Sequence, residues 1–276
     1  MAILNDEIIF LIVTYKEKYY ECDSFTSLLK SFKRSGVPAL NVMVFDNTVD
    51  DGWEIAPQSI PHVNVYYYTE KSNRGISHAY NFLALKASDK GFKWMVLLDQ
   101  DTSLPEDFIS QYLTVCSRNK IYCPKVFVGD NLMSPSLYKN YRSYPLRQIE
   151  PHISEIDLAG ISCINSGLMI NIDYFLSVGG YNENIQLDFC DHDFLLKIKK
   201  LGLECIGIID CKLYQNFSFE THNKEQAITR YKMFVRDIKG FYKGKSAIKV
   251  FFNVDLPRLL KLTYQHKSLR FLSIRF

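Results

Sequence analysis

The sequence has neither a long apolar run nor a cysteine pattern typical of secreted or zinc-binding proteins. No stretch approaches the ~18 apolar residues that a membrane-spanning helix needs. Near the N-terminus, Asp6 and Glu7 precede only about six apolar residues, too few for a secretory signal peptide. The seven cysteines are odd in number and include no Cys-x-x-Cys pair, which indicates free thiols in a reducing compartment. We therefore expect a cytoplasmic protein.

The sequence also lacks the loops and the charge pattern of several nucleotide-binding and nucleic-acid-binding proteins. No Gly-x-Gly-x-x-Gly follows the first predicted strand, and no Gly-x-x-x-x-Gly-Lys occurs. The net charge of +3 arises from the C-terminus, because residues 239–276 carry nine Lys/Arg and one acid. The slightly acidic remainder offers no basic groove, so we expect no nucleic-acid partner. A bound nucleotide would be held by polar strand ends and a metal.

What the chain does contain is an alternation of apolar strands and amphipathic helices. With 276 residues and 47% hydrophobic content it can bury one large core. Apolar runs predict strands at 8–13, 42–45, 63–67 and 94–98. Helical spacing predicts one helix with Asp23 or Ser24 as its N-cap and Gly36 as its stop, and another over 76–87. This order predicts an α/β fold with a doubly wound, mostly parallel sheet flanked by helices.

The stretch from Trp94 to Thr102 joins a buried strand to two carboxylates. Ligands of such sheets bind beyond the carboxyl ends of the strands, where Asp99 and Asp101 lie. Two carboxylates one residue apart suit Mg²⁺ or Mn²⁺, which in turn holds phosphate oxygens. The alternative is an Asx-turn that ends the strand, with Pro105 opening a helix.

Several short motifs follow one another in order. They are Val-Thr-Tyr at 13–15, Phe-Asp-Asn-Thr at 45–48, Asn-Arg-Gly-x-x-x-Ala-x-Asn at 73–81, Leu-Asp-Gln-Asp at 98–101, Asn-Ser-Gly-Leu-Met-Ile at 165–170 and Asp-Phe-Cys-Asp-His-Asp-Phe-Leu-Leu-Lys at 188–197. Together they resemble family 2 glycosyltransferases of the GT-A fold, in particular the bacterial rhamnosyltransferase-like branch. The resemblance covers roughly residues 7–240. It implies a GT-A glycosyltransferase domain over 1–240, followed by a basic amphipathic helical tail over 241–276.

The resemblance implies a nucleoside-diphosphate sugar as donor and a divalent cation, Mn²⁺ or Mg²⁺, as cofactor. Asp101 would be the direct metal ligand, while Asp99 would contact the donor ribose and share the metal. Further residues would line the nucleotide site: Thr14, Tyr15, Asp46, Asn73, Arg74 and Gly75. Asp46 is alternatively a turn residue with Asn47. Gly75 is the kind of residue that lets a backbone approach a ligand closely. Ser166 and Gly167 would form the floor of the sugar site.

A second acidic cluster consists of Asp188, Asp191 and Asp193. An inverting transfer needs one carboxylate to deprotonate the acceptor hydroxyl. By resemblance Asp191 is this base and Asp193 contacts the acceptor, whereas Asp188 is predicted to cap the helix. Two departures from the family pattern, Phe194 for Trp and Lys197 for Arg, affect the expected acceptor more than the reaction type.

The remaining candidates lie towards the C-terminus. Where relatives often have a metal-binding or diphosphate-binding His, this chain has Gln215, and His222 is either a substitute ligand or a plain helix-start residue. Arg230 and Arg236, on a helix predicted to begin near Asn223, would clamp the diphosphate or acceptor, or be solvated. Residues 124–156 show no clean periodicity, so we interpret them as an aromatic-rich loop on the acceptor side or as a packed insertion.

The basic C-terminal residues alternate with apolar ones, and Pro257 predicts two short helices around it. A basic, apolar helical pair is typical of a surface that lies on an anionic membrane, on the inner face of the cell membrane here. Packing on the body or a dimer contact is the alternative.

These patterns favour a metal-dependent, inverting glycosyltransferase. It would move rhamnose from dTDP-rhamnose, or a hexose from a UDP donor, to a growing bacterial surface glycan or lipid-linked acceptor. One alternative is a nucleotidyltransferase that makes sugar nucleotides, but the segment after the first strand is not Gly-rich. The other is a non-catalytic carbohydrate-binding subunit, which the Gln215 substitution favours and the intact acids oppose.

Overall fold

A mixed, mostly parallel sheet with helices on both faces forms the centre of the protein. The computed structural model describes residues 4–50, 53, 55, 58–115, 117–146, 149, 153–215 and 223–276. The strands are β1 (Ile8–Thr14), β2 (Leu40–Asp46), β3 (Val63–Thr69), β4 (Trp94–Asp99), β5 (Thr102–Ser103), β6 (Ile121–Val128), β7 (Asn131–Ser134), β8 (Ser136–Lys139), β9 (Arg142–Tyr144), β10 (Glu155–Asp157), β11 (Ile161–Ser162), β12 (Met169–Asn171) and β13 (Cys205–Gln215). The helices are α1 (Asp23–Ser35), α2 (Ile76–Asp89), α3 (Phe108–Leu113), α4 (Ile172–Ser177), α5 (Cys190–Lys200), α6 (Lys224–Tyr242), α7 (Ala247–Val250), α8 (Leu256–Gln265) and α9 (Arg270–Arg275).

The strand order of the main sheet is β10-β13-β6-β12-β4-β1-β2-β3, with β5 beside β13 and β7 beside β6. β4, β1, β2 and β3 are parallel to their neighbours within this group, and β12 joins it to β6 in the antiparallel sense. The four predicted strands are therefore confirmed, and so is the doubly wound α/β class. A small second sheet has the order β11-β8-β9.

The central strands β1, β2 and β4 are buried on both faces along most of their length, as their continuous apolar runs predict. In β1, Ile9 and Leu11 pack into a cluster with α2, α5 and α6, while Phe10 and Ile12 pack into a second cluster with α1 and α3. Strands buried on both faces place their ends, and not their faces, next to solvent. We therefore look for a ligand-binding site at the ends of these strands.

Three predictions about local structure were wrong. The described residues of 124–156 contain β7, β8, β9 and parts of β6 and β10, so the loop interpretation was wrong and the alternative of a packed insertion is nearer to the structure. Helix α1 begins after Cys22, whose backbone is extended; Asp23 and Ser24 lie inside the helix. Pro257 does not separate two helices, because the backbone stays helical from α7 through a π-helical stretch (Phe251–Asp255) into α8. Wider i→i+5 bonding before a proline accommodates its missing N–H and its ring.

The C-terminal tail, residues 241–276, packs on the body. Val250, Leu259 and Phe271 are buried in the same cluster as α2, α5 and α6. Within the described part of the chain, none of the helices is long and apolar enough to cross a bilayer. The cysteines that the structure describes are all free, as predicted.

Candidate active site

The carboxyl ends of three neighbouring strands bring the predicted donor-binding residues together. In the parallel register Thr14 of β1 lies opposite Asp46 of β2, and Val13 lies opposite Asp99 of β4. The Asn47 N–H donates to the Thr14 carbonyl at 2.9 Å, so the loops that follow β1 and β2 are tied together. Residues far apart in the chain thus meet at one edge of the sheet, as predicted.

Asp99 is half-buried at the end of β4, and its carboxylate accepts hydrogen bonds from two hydroxyls. Ser166 donates to Oδ2 at 2.5 Å and Tyr80 donates to Oδ1 at 3.3 Å. Loss of water around the carboxylate, together with the charges of Asp101 and Asp191, raises the pKa of Asp99 to about 6, although the hydroxyls oppose the shift. The hydrogen bonds from the two hydroxyls therefore do not fully stabilise the negative charge of Asp99.

Gln215 connects the second carboxylate to the first. The antiparallel pairing of β13 with β5 sets Gln215 opposite Thr102, and its amide Nε2 donates to Asp101 Oδ1 at 3.1 Å. Its Oε1 lies 3.3 Å from the Ser166 hydroxyl, which donates to Asp99. Burial raises the pKa of Asp101, and the hydrogen bond from Gln215 opposes that shift. We call Asp99, Asp101, Ser166 and Gln215 the strand-end cluster.

The sequence identified Gln215 only as the loss of a histidine. The structure makes it a bridge, since its amide NH2 donates to one carboxylate and its oxygen lies 3.3 Å from the hydroxyl whose proton goes to the other. The sequence offered one signal, an alternating pattern over Cys205–Gln215 that ends at Gln215. This pattern predicts a strand but does not show that its last residue lies beside Asp99.

On the nucleotide side, Tyr15 is exposed and Asp46 is buried. The Tyr15 N–H donates to Gln100 Oε1 at 2.7 Å, so the residue between the two carboxylates holds the loop after β1. The Tyr15 ring is 43% exposed, which leaves it accessible to a base. Thr14 is fully buried, and its hydroxyl has no hydrogen-bond partner among the described residues. Sequence reasoning did not identify the role of Gln100.

Asp46 uses both carboxylate oxygens within the protein. Oδ1 accepts from the Thr48 N–H at 2.9 Å, which is the Asx-turn alternative. Oδ2 accepts from Trp53 Nε1 and from the Tyr67 hydroxyl, each at 2.8 Å. Trp53 and Tyr67, which the sequence did not single out, therefore form the wall beside Asp46.

The loop 73–75 lies between the two acidic clusters. Asn73 and Arg74 are exposed, and Arg74 lies 3.4 Å from Glu183 and 3.6 Å from Glu70. Gly75 allows a close backbone approach in the structure, and the approach that is seen there is to another part of the chain; its expected place beside the nucleotide stays a prediction. Gly75 has φ +92°, and a Cβ there would lie 2.5 Å from the Gln186 carbonyl oxygen, so the close approach is made by the chain itself.

Asp191 lies in the first turn of α5. Its Oδ1 accepts the His192 N–H at 2.7 Å, and its side chain is 16% exposed. The negative charge of Asp191 contributes to the raised pKa of Asp99, so the predicted base and the strand-end cluster share one electrostatic environment. A third carboxylate, carried by α5, thus lies close enough to the strand-end cluster to act on its charge.

The prediction that Asp188 caps α5 was wrong. Phe189 occupies the cap position with φ +72°, and no side chain caps the helix there. Asp188 instead accepts two hydrogen bonds from Arg230, at 2.5 and 2.8 Å. Such a planar, bidentate pair outcompetes a local cap because it holds two charges in one fixed geometry.

The two candidate arginines of α6 do not form a joint clamp in the structure. Arg230 binds Asp188, whereas the Nε of Arg236 lies 3.3 Å from Asp237 and its side chain is 47% exposed. A spacing of six residues on a helix sets side chains about 120° apart, which accounts for the different partners. Helix α6 does begin after Asn223, which forms the capping box with Gln226.

Other predicted site residues are structural in their contacts. Asp193 pairs with Lys245 at 2.5 Å. Phe194 is buried against Phe175 and Tyr181, so its difference from the family pattern affects packing.

The strand-end cluster fits a cation held in part by its substrate. Among the described residues, no group of three His, Cys, Asp or Glu side chains is placed to hold a metal ion. His222 lies outside the described residues. Mg²⁺ and Mn²⁺ are commonly held by one or two carboxylates, with substrate phosphates and water completing the coordination. Asp99 and Asp101 offer that ligand set, and the neighbouring carboxylate charges that contribute to the raised pKa of Asp99 favour a positive charge there.

Comparison with known proteins agrees with this geometry. The family model described as glycosyl transferase family 2 matches residues 9–171. The dTDP-rhamnosyl transferase RfbF of Shigella flexneri is 23% identical over 213 residues, which are 76% of this chain and 69% of that protein. GalNAc-T7, solved with UDP, GalNAc and Mn²⁺, has a TM-score of 0.59 at 12% identity and covers 95% of this chain, which spans about half (54%) of GalNAc-T7.

A second solved structure is S. aureus TarS 1–349 in complex with UDP-GlcNAc. It has a TM-score of 0.57 at 11% identity, covering 97% of this chain and 83% of that one. At such identities the solved structures show a common fold, and the family model adds the enzyme class. The chain belongs to glycosyl transferase family 2, and it is a glycosyltransferase of the GT-A fold.

Proposed function

We propose that this glycosyltransferase uses a divalent cation at Asp99 and Asp101 and transfers its sugar with inversion, with Asp191 as the base. The observation that carries the proposal is that Asp99 and Asp101 lie together after β4 and that the charge of Asp191, in the first turn of α5, also acts on Asp99, whose pKa is raised to about 6. When bound, the cation would neutralise the departing diphosphate. Asp99 and Asp101 would hold it, and Tyr15 and Asn73 would line the nucleotide.

Asp191 suits the role of base because it projects from a helix start on the other side of the site. A carboxylate there can accept the proton of an acceptor hydroxyl while the leaving group stays with Asp99 and Asp101. Gly167 supports the floor between them: its N–H donates to the Leu97 carbonyl and its carbonyl accepts from Tyr112.

We propose dTDP-rhamnose as the first donor to test, followed by UDP-hexoses. The relative from Shigella flexneri is named a dTDP-rhamnosyl transferase, while the solved neighbours were crystallised with UDP or UDP-GlcNAc. The acceptor would be a bacterial surface glycan or a lipid-linked oligosaccharide.

A donor screen tests this proposal. Binding of dTDP-rhamnose, UDP-glucose, UDP-GlcNAc and GDP-mannose is measured by calorimetry with Mn²⁺ and with excess chelator, and release of the nucleoside diphosphate is followed in parallel. We expect a dTDP or UDP donor to bind only with the cation, and Asp101→Asn to abolish binding. Full turnover in chelator would contradict the metal assignment, and failure of every donor to bind would contradict the proposed function.

We further propose that the C-terminal tail lies on an anionic membrane. Four of its basic residues pair with acids, namely Lys245, Arg258, Arg270 and Arg275, so the charge excess alone is a weaker argument than the sequence suggested. The support comes from exposed apolar residues, Ile248, Phe252, Tyr264, Leu269 and Phe276 at 60–87% exposure. Exposed Lys249 and Lys267 lie on the same segment, and each basic group near an anionic surface contributes about 1 kcal/mol.

Sedimentation with vesicles decides between membrane binding and simple packing. The full chain should sediment with phosphatidylglycerol vesicles at low salt, less at high salt, and not with phosphatidylcholine vesicles. Phe252→Ser should reduce binding, whereas Leu201→Ser, an equally exposed apolar residue on α5's C-terminal side, should leave it unchanged. If the protein stays in the supernatant under all of these conditions, the proposal is contradicted.

A further inference from the structure

The short segment that leads into α5, residues 186–189, is held by side chains that come later in the chain. Asp237 of α6 is fully buried, and its carboxylate accepts three successive backbone N–H groups. Oδ1 accepts from Gln186 at 3.1 Å, and Oδ2 accepts from Leu187 at 2.8 Å and Asp188 at 2.9 Å. A buried carboxylate with several charge-assisted bonds fixes the path of the backbone it binds.

The C-terminal tail adds two cations to this arrangement. Lys245 Nζ lies 2.5 Å from Asp193 Oδ1, and the two side chains are only 8% and 14% exposed. Arg258 lies 3.7 Å from Asp188, on the carboxylate that Arg230 also binds, and its guanidinium packs 4.3 Å from the ring centre of Phe234. The acids on either side of Asp191 are therefore both anchored to the tail.

The backbone at the start of α5 needs such support. Phe189 has φ +72°, a conformation that is strained for a bulky residue and persists only where the surroundings fix it. Its ring stacks on Phe241, with ring centres 4.7 Å apart and an interplanar angle of 20°. Without these contacts the turn would relax, and the direction of the following Asp191 side chain would change with it.

We propose that Arg258 and Lys245 of the C-terminal tail, with Asp237 of α6, are positioning residues that set the start of α5 and so direct Asp191. All three lie beyond residues 9–171, which the family model matches. The C-terminal tail would then position a catalytic group in addition to offering a surface to a membrane. The consequence for turnover rests on the proposed function, because it uses Asp191 as the base; the consequence for the segment 186–189 does not.

The test compares Arg258→Met and Arg258→Lys with Lys261→Met, an exposed lysine on the same helix. Hydrogen–deuterium exchange reports on 186–190 in the full chain, and thermal unfolding reports on the whole fold. We expect about tenfold or faster exchange at 186–190 in Arg258→Met, because Asp188 then keeps only Arg230 of its two cationic partners and the segment opens more often. Lys261→Met should match the wild type, and Arg258→Lys should restore part of the protection.

Unchanged exchange at 186–190, or an increase that is equal in β1 to β4, would overturn the proposal. For turnover, nucleoside diphosphate release from dTDP-rhamnose with Mn²⁺ should fall about 10- to 100-fold in kcat with the donor KM unchanged, as expected when a catalytic group is misplaced. A rise in KM with kcat unchanged would also overturn it. If the wild type releases nucleoside diphosphate from none of the donors, the proposed function fails, and the exchange data still decide the positioning.

Discussion

Replacing Asp99 by Asn should stabilise the free protein at neutral pH. The carboxylate of Asp99 is held in a site that raises its pKa to about 6 from an ordinary 3.8. Between these two values the folded state binds more protons than the unfolded state, so stability falls as pH rises through the window and is constant above it. Asn removes the charge and keeps one oxygen that can accept from the Ser166 hydroxyl, while its NH2 group can donate to the oxygen of the Tyr80 hydroxyl.

The size of the effect follows from the two pKa values. The raised pKa of Asp99 lowers the free energy of unfolding by about 3 kcal/mol at pH 7.5 and by only about 0.6 kcal/mol at pH 4. Because the residue is half-buried, water in the cleft reduces these values. We therefore expect Asp99→Asn to be more stable by about 1–3 kcal/mol at pH 7.5, with most of the gain gone at pH 4.

Urea unfolding in chelator at both pH values measures the difference. Asp130→Asn, at an exposed loop position, serves as the control for removing one carboxylate. Adding Mn²⁺ at pH 7.5 should reduce the difference in unfolding free energy between the two proteins. The cation binds the folded wild type, whereas the variant lacks one of its two carboxylate ligands. An Asn variant that is less stable at pH 7.5, or a gain of the same size at pH 4, would refute the electrostatic reasoning.

Two further changes test the geometry around the nucleotide side. Gly75→Ala should lower the free energy of unfolding by more than about 2 kcal/mol, because a Cβ at φ +92° would meet the Gln186 backbone at 2.5 Å. Gly36→Ala, which meets open space, should cost only about 1 kcal/mol in chemical denaturation. Adding dTDP or UDP with Mn²⁺ should change the fluorescence of Trp53, which donates to Asp46, since the chain's other tryptophan is buried. A signal that persists in Trp53→Phe would contradict that placement.

The parts of the fold with strong apolar periodicity could be predicted from the sequence. The runs at 8–13 and 94–98 became β1 and β4, and the carboxylates after them reached the sheet edge because parallel strands end together. Two members of the strand-end cluster, Asp99 and Asp101, could therefore be predicted from the apolar pattern. Its other half, Ser166 and Gln215, depends on β12 and β13, whose places in the sheet no local pattern specifies.

Elsewhere the local pattern was misleading. In β8 the buried positions are Ser136 and Tyr138, while Leu137 is 46% exposed, so polarity and burial are out of phase and no strand was predicted. Asp188 had the composition of a cap, yet Arg230 and Arg258, more than 40 residues away in sequence, determine its contacts. Such long-range ion pairs leave no periodic signal.

Family membership favours transfer over sugar-nucleotide synthesis and over a non-catalytic subunit. The domain boundary at residue 240 stays a prediction, although the C-terminal tail contributes to the main core.

The most direct test of the account is turnover by Asp191→Asn. With the donor that binds in the screen, nucleoside diphosphate release should fall about 10²–10⁴-fold, the usual cost of losing a general base. The affinity for the nucleoside diphosphate with Mn²⁺ should stay within about twofold, because the proposed role of Asp191 is to act on the acceptor. A variant that keeps more than a few per cent of wild-type turnover, or that loses nucleotide binding as well, would contradict the assignment of Asp191 as the base.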